Sequence, residues 1–249
     1  MKIHRAICRL DFTVRFALLD HLGRYAQLIQ ELTSKDPFSK QKLEVNLLEH
    51  WIQNQGKIGD TDFVLKFHHD NINAVLESAA GLNFERFSEN RIYSTIRSIL
   101  HDSEFSQIAE FKRIGFRFWV IIEREQFSFQ AIHRALRSEI TVLRDVFSDG
   151  AEQKDIAVTI EDKLSKGQNT RVQFGPYSKD EGGKYFNQII EANDGLIFDV
   201  DLWERNIAVP KLDFVSTARD AVREVRSIVA AIENNVLERI NGAAEVHRS

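Results

Sequence analysis

Phe111-Lys112-Arg113-Ile114-Gly115-Phe116-Arg117-Phe118-Trp119 alternates strictly in the character of its side chains. Successive side chains of an extended chain point to opposite faces, so Ile114, Phe116 and Phe118 share one face, and Arg113, Gly115 and Arg117 share the other. The stretch reads as a half-buried strand running on to Glu123. Such a strand needs neighbours on both edges and a layer over its apolar side.

The rest of the sequence supplies both. Downstream, Ile132, Leu136, Ile140, Leu143 and Phe147 mark a helix, and Asp155–Ile160, Thr170–Phe174 and Gly195–Trp203 are candidate strands between Gly, Asn and Asp signals. Upstream, Ile92, Ile96, Ile99 and Leu100 form a helical stripe with Asn90 or Ser88 to cap it. Phe63–Phe67 and Ile72–Leu76 flank a turn-rich His69-Asp70-Asn71 and read as a hairpin. Ala6, Cys8, Leu10 and Phe12 alternate as a strand, and Leu18, Leu22, Tyr25, Ile29 and Leu32 follow as a helix that Pro37 must stop. Leu43, Leu47, Leu48 and Trp51 favour a helix, although Leu43-Val45-Leu47 also suits a strand.

The expected class is α+β, a mostly antiparallel sheet packed by helices. Two α+β halves, 1–150 and 151–249, are expected to pack closely or to form one compact domain, because three prolines and 12 glycines leave no linker between them. Strands followed by a helix recur over Phe63–Phe147 and Ile156–Ile240, the pattern of two duplicated units.

The chain closes on its most regular feature. Val215, Ala218, Val222, Val225, Val229, Ile232 and Val236 recur three and four apart, a heptad stripe on a helix of roughly 40 Å if it runs from Val215 to Ile240. Amphipathic helices mostly serve their own core, and valine and alanine bury less apolar area than leucine would in a free coiled coil. Packing on the chain's own sheet is therefore the first expectation, with Val215, Val222, Val229 and Val236 as the candidate interface if a partner is met there.

Composition narrows the function classes. A net charge of -4 gives no general reason to expect nucleic-acid binding. One cysteine, Cys8, excludes an internal disulfide and fits a reducing, cytoplasmic compartment. The charged start Met1-Lys2-Ile3-His4-Arg5 lacks the apolar segment of a signal peptide, and the longest strongly apolar run, Phe118–Ile122, is too short to span a bilayer.

Two constellations bear chemistry. Asp199 and Asp201 in Leu196-Ile197-Phe198-Asp199-Val200-Asp201 project from one strand face and would hold Mg²⁺ if a third carboxylate and a phosphate loop joined them, but no such loop is legible. Arg113 and Arg117 share a face and would clamp an anion, or pair across the sheet with Asp199 and Asp201; the second reading is preferred. His68-His69-Asp70 carries turn chemistry more naturally than a metal, and no activated nucleophile is visible.

In the order of these features the chain resembles a sporadically distributed, functionally uncharacterised bacterial family of about this length. The shared elements are the strand-helix start, the strand Arg113-Ile114-Gly115-Phe116-Arg117-Phe118, the late strand Asp199-Val200-Asp201 and the closing helix. The resemblance implies a bacterial, mobile or defence-associated accessory protein and supplies no catalytic residue. The expectation drawn from the sequence is thus a non-enzymatic subunit that binds a protein partner or a second copy of itself, within a bacterial system such as antiviral defence. A divalent-metal enzyme of nucleotides or phosphates built on Asp199 and Asp201, and a small-anion sensor built on Arg113 and Arg117, are the alternatives.

Overall fold

A computed structural model describes residues 1–12, 26–31, 33–34, 38–68, 70–84, 87, 90–101, 110–139, 156–164, 167–208 and 213–246. Among these, nine strands form one antiparallel sheet: β1 (Lys2–Phe12), β2 (Phe38–Asn46), β3 (Trp51–Ile58), β4 (Thr61–His68), β5 (Asn71–Leu82), β6 (Glu110–Ile122), β7 (Val158–Lys163), β8 (Asn169–Tyr177) and β9 (Gly195–Ala208). Their spatial order is β2-β3-β4-β5-β1-β6-β9-β8-β7. The described long helices are α1 (Arg91–Leu100), α2 (Phe129–Glu139) and α3 (Phe214–Val246). The fold is the α+β arrangement that the alternating strands imply.

Alternation decides which side is the core. Cys8 and Leu10 of β1, Phe116 and Phe118 of β6, Phe198 and Val200 of β9 and Leu65 and Phe67 of β4 are all fully buried on one face. The helices lie there: Phe214 of α3 packs on Phe116 at 6.0 Å between ring centroids, and Phe87 meets Phe118 edge-on at 5.3 Å. Local caps start each helix where the sequence turns. Asn90 Oδ1 accepts the Ile92 amide, Ser128 Oγ accepts the Ala131 amide, and Asp213 Oδ1 accepts the Ser216 amide.

The heptad stripe of α3 is spent on this core. Ala218, Val225 and Val229 are wholly buried and Val222 and Val236 nearly so, while Val215 is only partly covered. At 33 residues the helix is about 50 Å long. Its buried stripe, Phe214 to Val236, packs on β6, β9, α1 and α2.

The stretch from Leu43 to Trp51 is a correction to the helical reading. Asn46 Oδ1 accepts the amides of Leu48 and Glu49 at 3.0 Å each, and His50 takes a positive φ of 56°. This side-chain-closed turn folds β2 back onto β3, and hydrogen-bonded turns of this kind outcompete a short helical period. The Phe63–Leu76 hairpin is present as β4 and β5. Of the expected helix over Leu18–Leu32, residues 26–31 are helical and 13–25 and 32 lie outside the described residues; so do residues 140–147 of the helix that begins as α2.

Sheet pairing arranges the elements in two series. β1, the helical residues 26–31, the meander β2–β5 and α1 form one series; β6, α2, the meander β7–β9 and α3 form a second. In each, the last meander strand returns antiparallel to the first, β5 on β1 and β9 on β6, and β1 and β6 pair with each other at the centre. The two series thus run through their elements in the same order from β1 and from β6. The described residues contain no helix long and apolar enough to cross a membrane.

Burial of α3 in the chain's own core has a measurable consequence. Val229→Ala is expected to lower unfolding free energy in urea by about 2 kcal/mol with no change in solution mass. Val215→Ala is expected to cost less than half of that.

Candidate interaction face

The helices cover one side of the sheet, so the opposite side carries whatever else the strands present. There the odd positions of β1, β6 and β9 place Arg5, Arg9, Arg113, Arg117, Asp199 and Asp201. Arg117 forks onto Asp199, with Nε donating to Oδ1 at 2.7 Å and Nη2 to Oδ2 at 2.5 Å, the two-pronged geometry of the strongest guanidinium–carboxylate pairs. Arg113 Nη2 donates to Asp201 Oδ2 at 2.9 Å. The preferred sequence reading, cross-sheet pairing of these four residues, describes the geometry.

Neither pair is directly opposed. Arg117 stands across from Asp201, and Arg113 across from Arg205, so both guanidiniums reach along the strand to a diagonal partner. Gly115 makes room for the longer reach. A Cβ at that position would lie 3.3 Å from Arg113 Nε, so the glycine is the floor over which Arg113 lies on its way to Asp201. This is the physical content of the Arg-x-Gly-x-Arg spacing.

Tryptophan completes the face. All three tryptophans of the chain lie on it, and each carries a cation over its ring. Arg117 and Arg5 sit 4.5 and 5.1 Å from the centroid of Trp119, Arg113 sits 5.3 Å from that of Trp203, and Lys66 Nζ sits 4.2 Å from that of Trp51. Sequence reasoning missed Arg5, Lys66 and the tryptophans. One signal was available: Arg5 and Arg9 on β1 repeat the spacing of Arg113 and Arg117 on β6.

The electrostatics follow from this packing. The fork onto Asp199 holds the Arg117 guanidinium above its ordinary value, against the opposing effect of partial burial. Burial raises the Asp201 carboxyl above the usual range, and Arg113 and Arg117 offset only part of that. A divalent cation on Asp199 and Asp201 would have to displace both guanidiniums, and among the described residues no cluster of three His, Cys, Asp or Glu side chains surrounds a common point. Cys8 lies on the other side, fully buried, where desolvation pushes its thiol far up and keeps it unreactive.

One end of the face is roofed by the connection from β8 to β9, which includes a short 3-10 helix, Lys179–Lys184. Tyr185, Phe186, Ile190 and Ala192 pack there on Trp119, Ile121 and Ile197 in a second, smaller apolar cluster. Glu77 of β5 pins this roof. Although nearly buried, it accepts the backbone amides of Asn187 and Gln188 at 2.8 and 3.0 Å from Oε1, and its Oε2 stands 3.6 Å from Arg5 Nε. Beside the roof's edge, Trp119, Gln173, Tyr185 and Asp199 line a hollow of about 110 Å³.

His4 belongs to the same corner. A bulge between Ile3 and Arg5 interrupts the alternation of β1, and His4 is buried with its ring 6.0 Å from Phe186 and Nδ1 3.1 Å from the Ser78 carbonyl oxygen. Desolvation lowers its proton affinity below the ordinary value near 6.5. His68, by contrast, pairs with Asp70 in the β4–β5 turn at 2.9 Å, and His69 lies outside the described residues.

Thus Arg113, Arg117, Asp199 and Asp201 come together on one face, whereas Val222, Val229 and Val236 lie across the sheet in the core. No protein-family model matches this sequence, and no curated protein is significantly similar to it.

Two expectations test this corner. Glu77→Ala strands the Arg5 charge and two roof amides, and is expected to cost about 3 kcal/mol and to speed amide exchange over residues 178–194 ahead of the rest of the sheet. The second concerns pH. Because folded His4 resists protonation, the unfolded chain takes up the proton first as pH falls below 6.5. Stability from this group is full above that value and declines below it, by at most about 1.4 kcal/mol per pH unit. His4→Gln, measured in urea between about pH 7.5 and pH 5, is expected to flatten this slope. Asp201 acts in the opposite sense at lower pH, since its raised carboxyl is protonated first in the folded chain.

Proposed function

We propose that this chain is a non-enzymatic interaction protein, an accessory subunit that holds a partner protein on the open face of its sheet. The observation that carries the reading is that Trp51 and Trp203, each with a stacked cation, stand partly exposed on the side of the sheet that the helices do not cover, beside Trp119, which the β8–β9 connection buries. Tryptophan and arginine dominate the energetics of protein interfaces, because they bury large areas at low entropic cost and still offer polar edges. Here packing and ion pairs hold them in place before any partner arrives, which lowers the ordering cost of association.

The charge pattern selects the kind of partner. Arg9 pairs with Asp11, Arg113 with Asp201 and Arg117 with Asp199, so the central cations are largely neutralised in place. Arg5 and Arg171 stand beside Glu77 and Glu161 in the same way, which suits a protein surface carrying both signs better than a polyphosphate backbone that rewards a surplus of free cations. The setting implied by the family resemblance is a bacterial multi-protein system, with antiviral defence as its context, in the reducing interior of the cell. The same pairing weighs against the two alternatives, since an anion sensor needs guanidinium donors that are not already committed and a Mg²⁺ site needs carboxylates that are not already forked.

The test is native affinity purification of the full chain, with co-purifying proteins quantified by mass spectrometry. A stoichiometric partner is expected with the natural sequence, and Trp203→Ala or Arg117→Ala is expected to reduce its recovery at least about tenfold while thermal stability changes little. A chain that purifies alone, or variants that retain the same partner at the same level, would overturn the reading. A rise in melting temperature with Mg²⁺, nucleotides or inorganic phosphate would favour the alternatives instead.

A further inference from the structure

Among the described residues β2 is an edge strand, hydrogen-bonded to β3 on one side only. It is also where apolar surface is left uncovered. Leu43, Val45, Leu47 and Leu48 are four of the seven exposed large apolar side chains among the described residues, and they are contiguous on β2 and the turn that follows it. An exposed edge lined on one face by leucine and valine is a template for another strand.

The occupant is written in the strand's own charges. Lys42 and Glu44 flank Leu43 on the open face of the sheet and pair with each other at 2.5 Å within one strand. When two copies of this edge run antiparallel with Leu43 opposite Leu43, Lys42 of each copy stands opposite Glu44 of the other. Both cross-strand positions then hold opposite charges. Shifting the centre to Glu44 sets two carboxylates face to face, and shifting it to Val45 places Lys42 opposite Leu48, so one register is favoured by charge.

We infer that this protein associates with a second copy of itself through β2, antiparallel and centred on Leu43. The two nine-stranded sheets become one. On the helix side, Leu43 meets its counterpart and Val45 and Leu47 gain cover. On the open side, the two lysines and two glutamates form a square. The dyad stands perpendicular to the sheet, so the tryptophan-bearing faces of both copies look the same way. This association does not depend on the partner proposed above, and either can fail alone.

The experiment uses the full chain in three forms. Sedimentation of the natural sequence is expected to give twice the 28.8 kDa chain mass at high concentration. Leu43→Cys is expected to form a disulfide-linked dimer under mild oxidation, and Cys8, being buried, will not interfere. Ile160→Cys, on the opposite edge strand β7, is the control and is expected to form no disulfide-linked dimer. Lys42→Glu is expected to weaken association about tenfold, and Lys42→Glu with Glu44→Lys is expected to restore it. A natural chain that stays at single mass, a Leu43→Cys variant that cross-links no faster than Ile160→Cys, or a double variant no tighter than Lys42→Glu overturns the inference. Because β2 is exposed at the sheet edge, these substitutions leave the core intact, and circular dichroism checks that each variant is folded.

Discussion

Where β1 meets β6, Ile7 stands opposite Arg117 and Cys8 opposite Phe116, and this antiparallel register divides the molecule into a side that excludes water and a side that meets it. A strand cannot change the side of one residue without changing the side of all, short of a bulge. With Cys8, Phe116 and Phe118 turned toward the helices, Arg5, Arg9, Arg113 and Arg117 must emerge together on the other face. The core and the candidate interaction face are therefore two consequences of one pairing. The two outer meanders attach to this centre through β5 and β9, and each brings polar groups to it: Glu77 from one, Asp199 and Asp201 from the other.

The open face keeps its charges by lodging them against rings and carboxylates. A guanidinium held between an aspartate and an indole loses less on partial burial than one held by either alone, since its edge and its face are both occupied. Gly115 matters because it has no side chain: a Cβ there would press at 3.3 Å on Arg113 Nε, where the guanidinium lies on its way to Asp201. Glu77 does for the β8–β9 connection what a cap does for a helix, accepting two backbone amides that would otherwise be buried without partners. The roof over Trp119 and the arginine lattice beside it thus share a support, and a change at either is expected to be felt at the other.

Much of this was legible in the residues. Period-two alternation placed β1, β4, β5, β6, β8 and β9, and the three-four spacing placed α1 and α3, because side-chain burial has the period of the element that presents it. The pairing of Arg113 and Arg117 with Asp199 and Asp201 was legible too, from strand parity and opposite charge. The region from Leu43 to Trp51 was not, since four apolar residues fit two periods there and the turn at Asn46, rather than the period, decided between them. Arg5, Glu77 and His4 escaped for a different reason. Their roles depend on the connection from β8 to β9, more than 100 residues away in the chain, and on a bulge that breaks the parity rule.

By itself, then, the sequence determined the elements, their buried sides and the absence of a disulfide, because those depend on local spacing and composition. The order of strands, and with it the meeting of β1 with β6 and of β6 with β9, was decided only in three dimensions. Many orders would bury the same apolar faces equally well; the observed one also brings the arginines of β6 beside the aspartates of β9 and the glutamate of β5 beside the arginine of β1. Which strands are neighbours is a property of the whole chain, and no window of residues contains it.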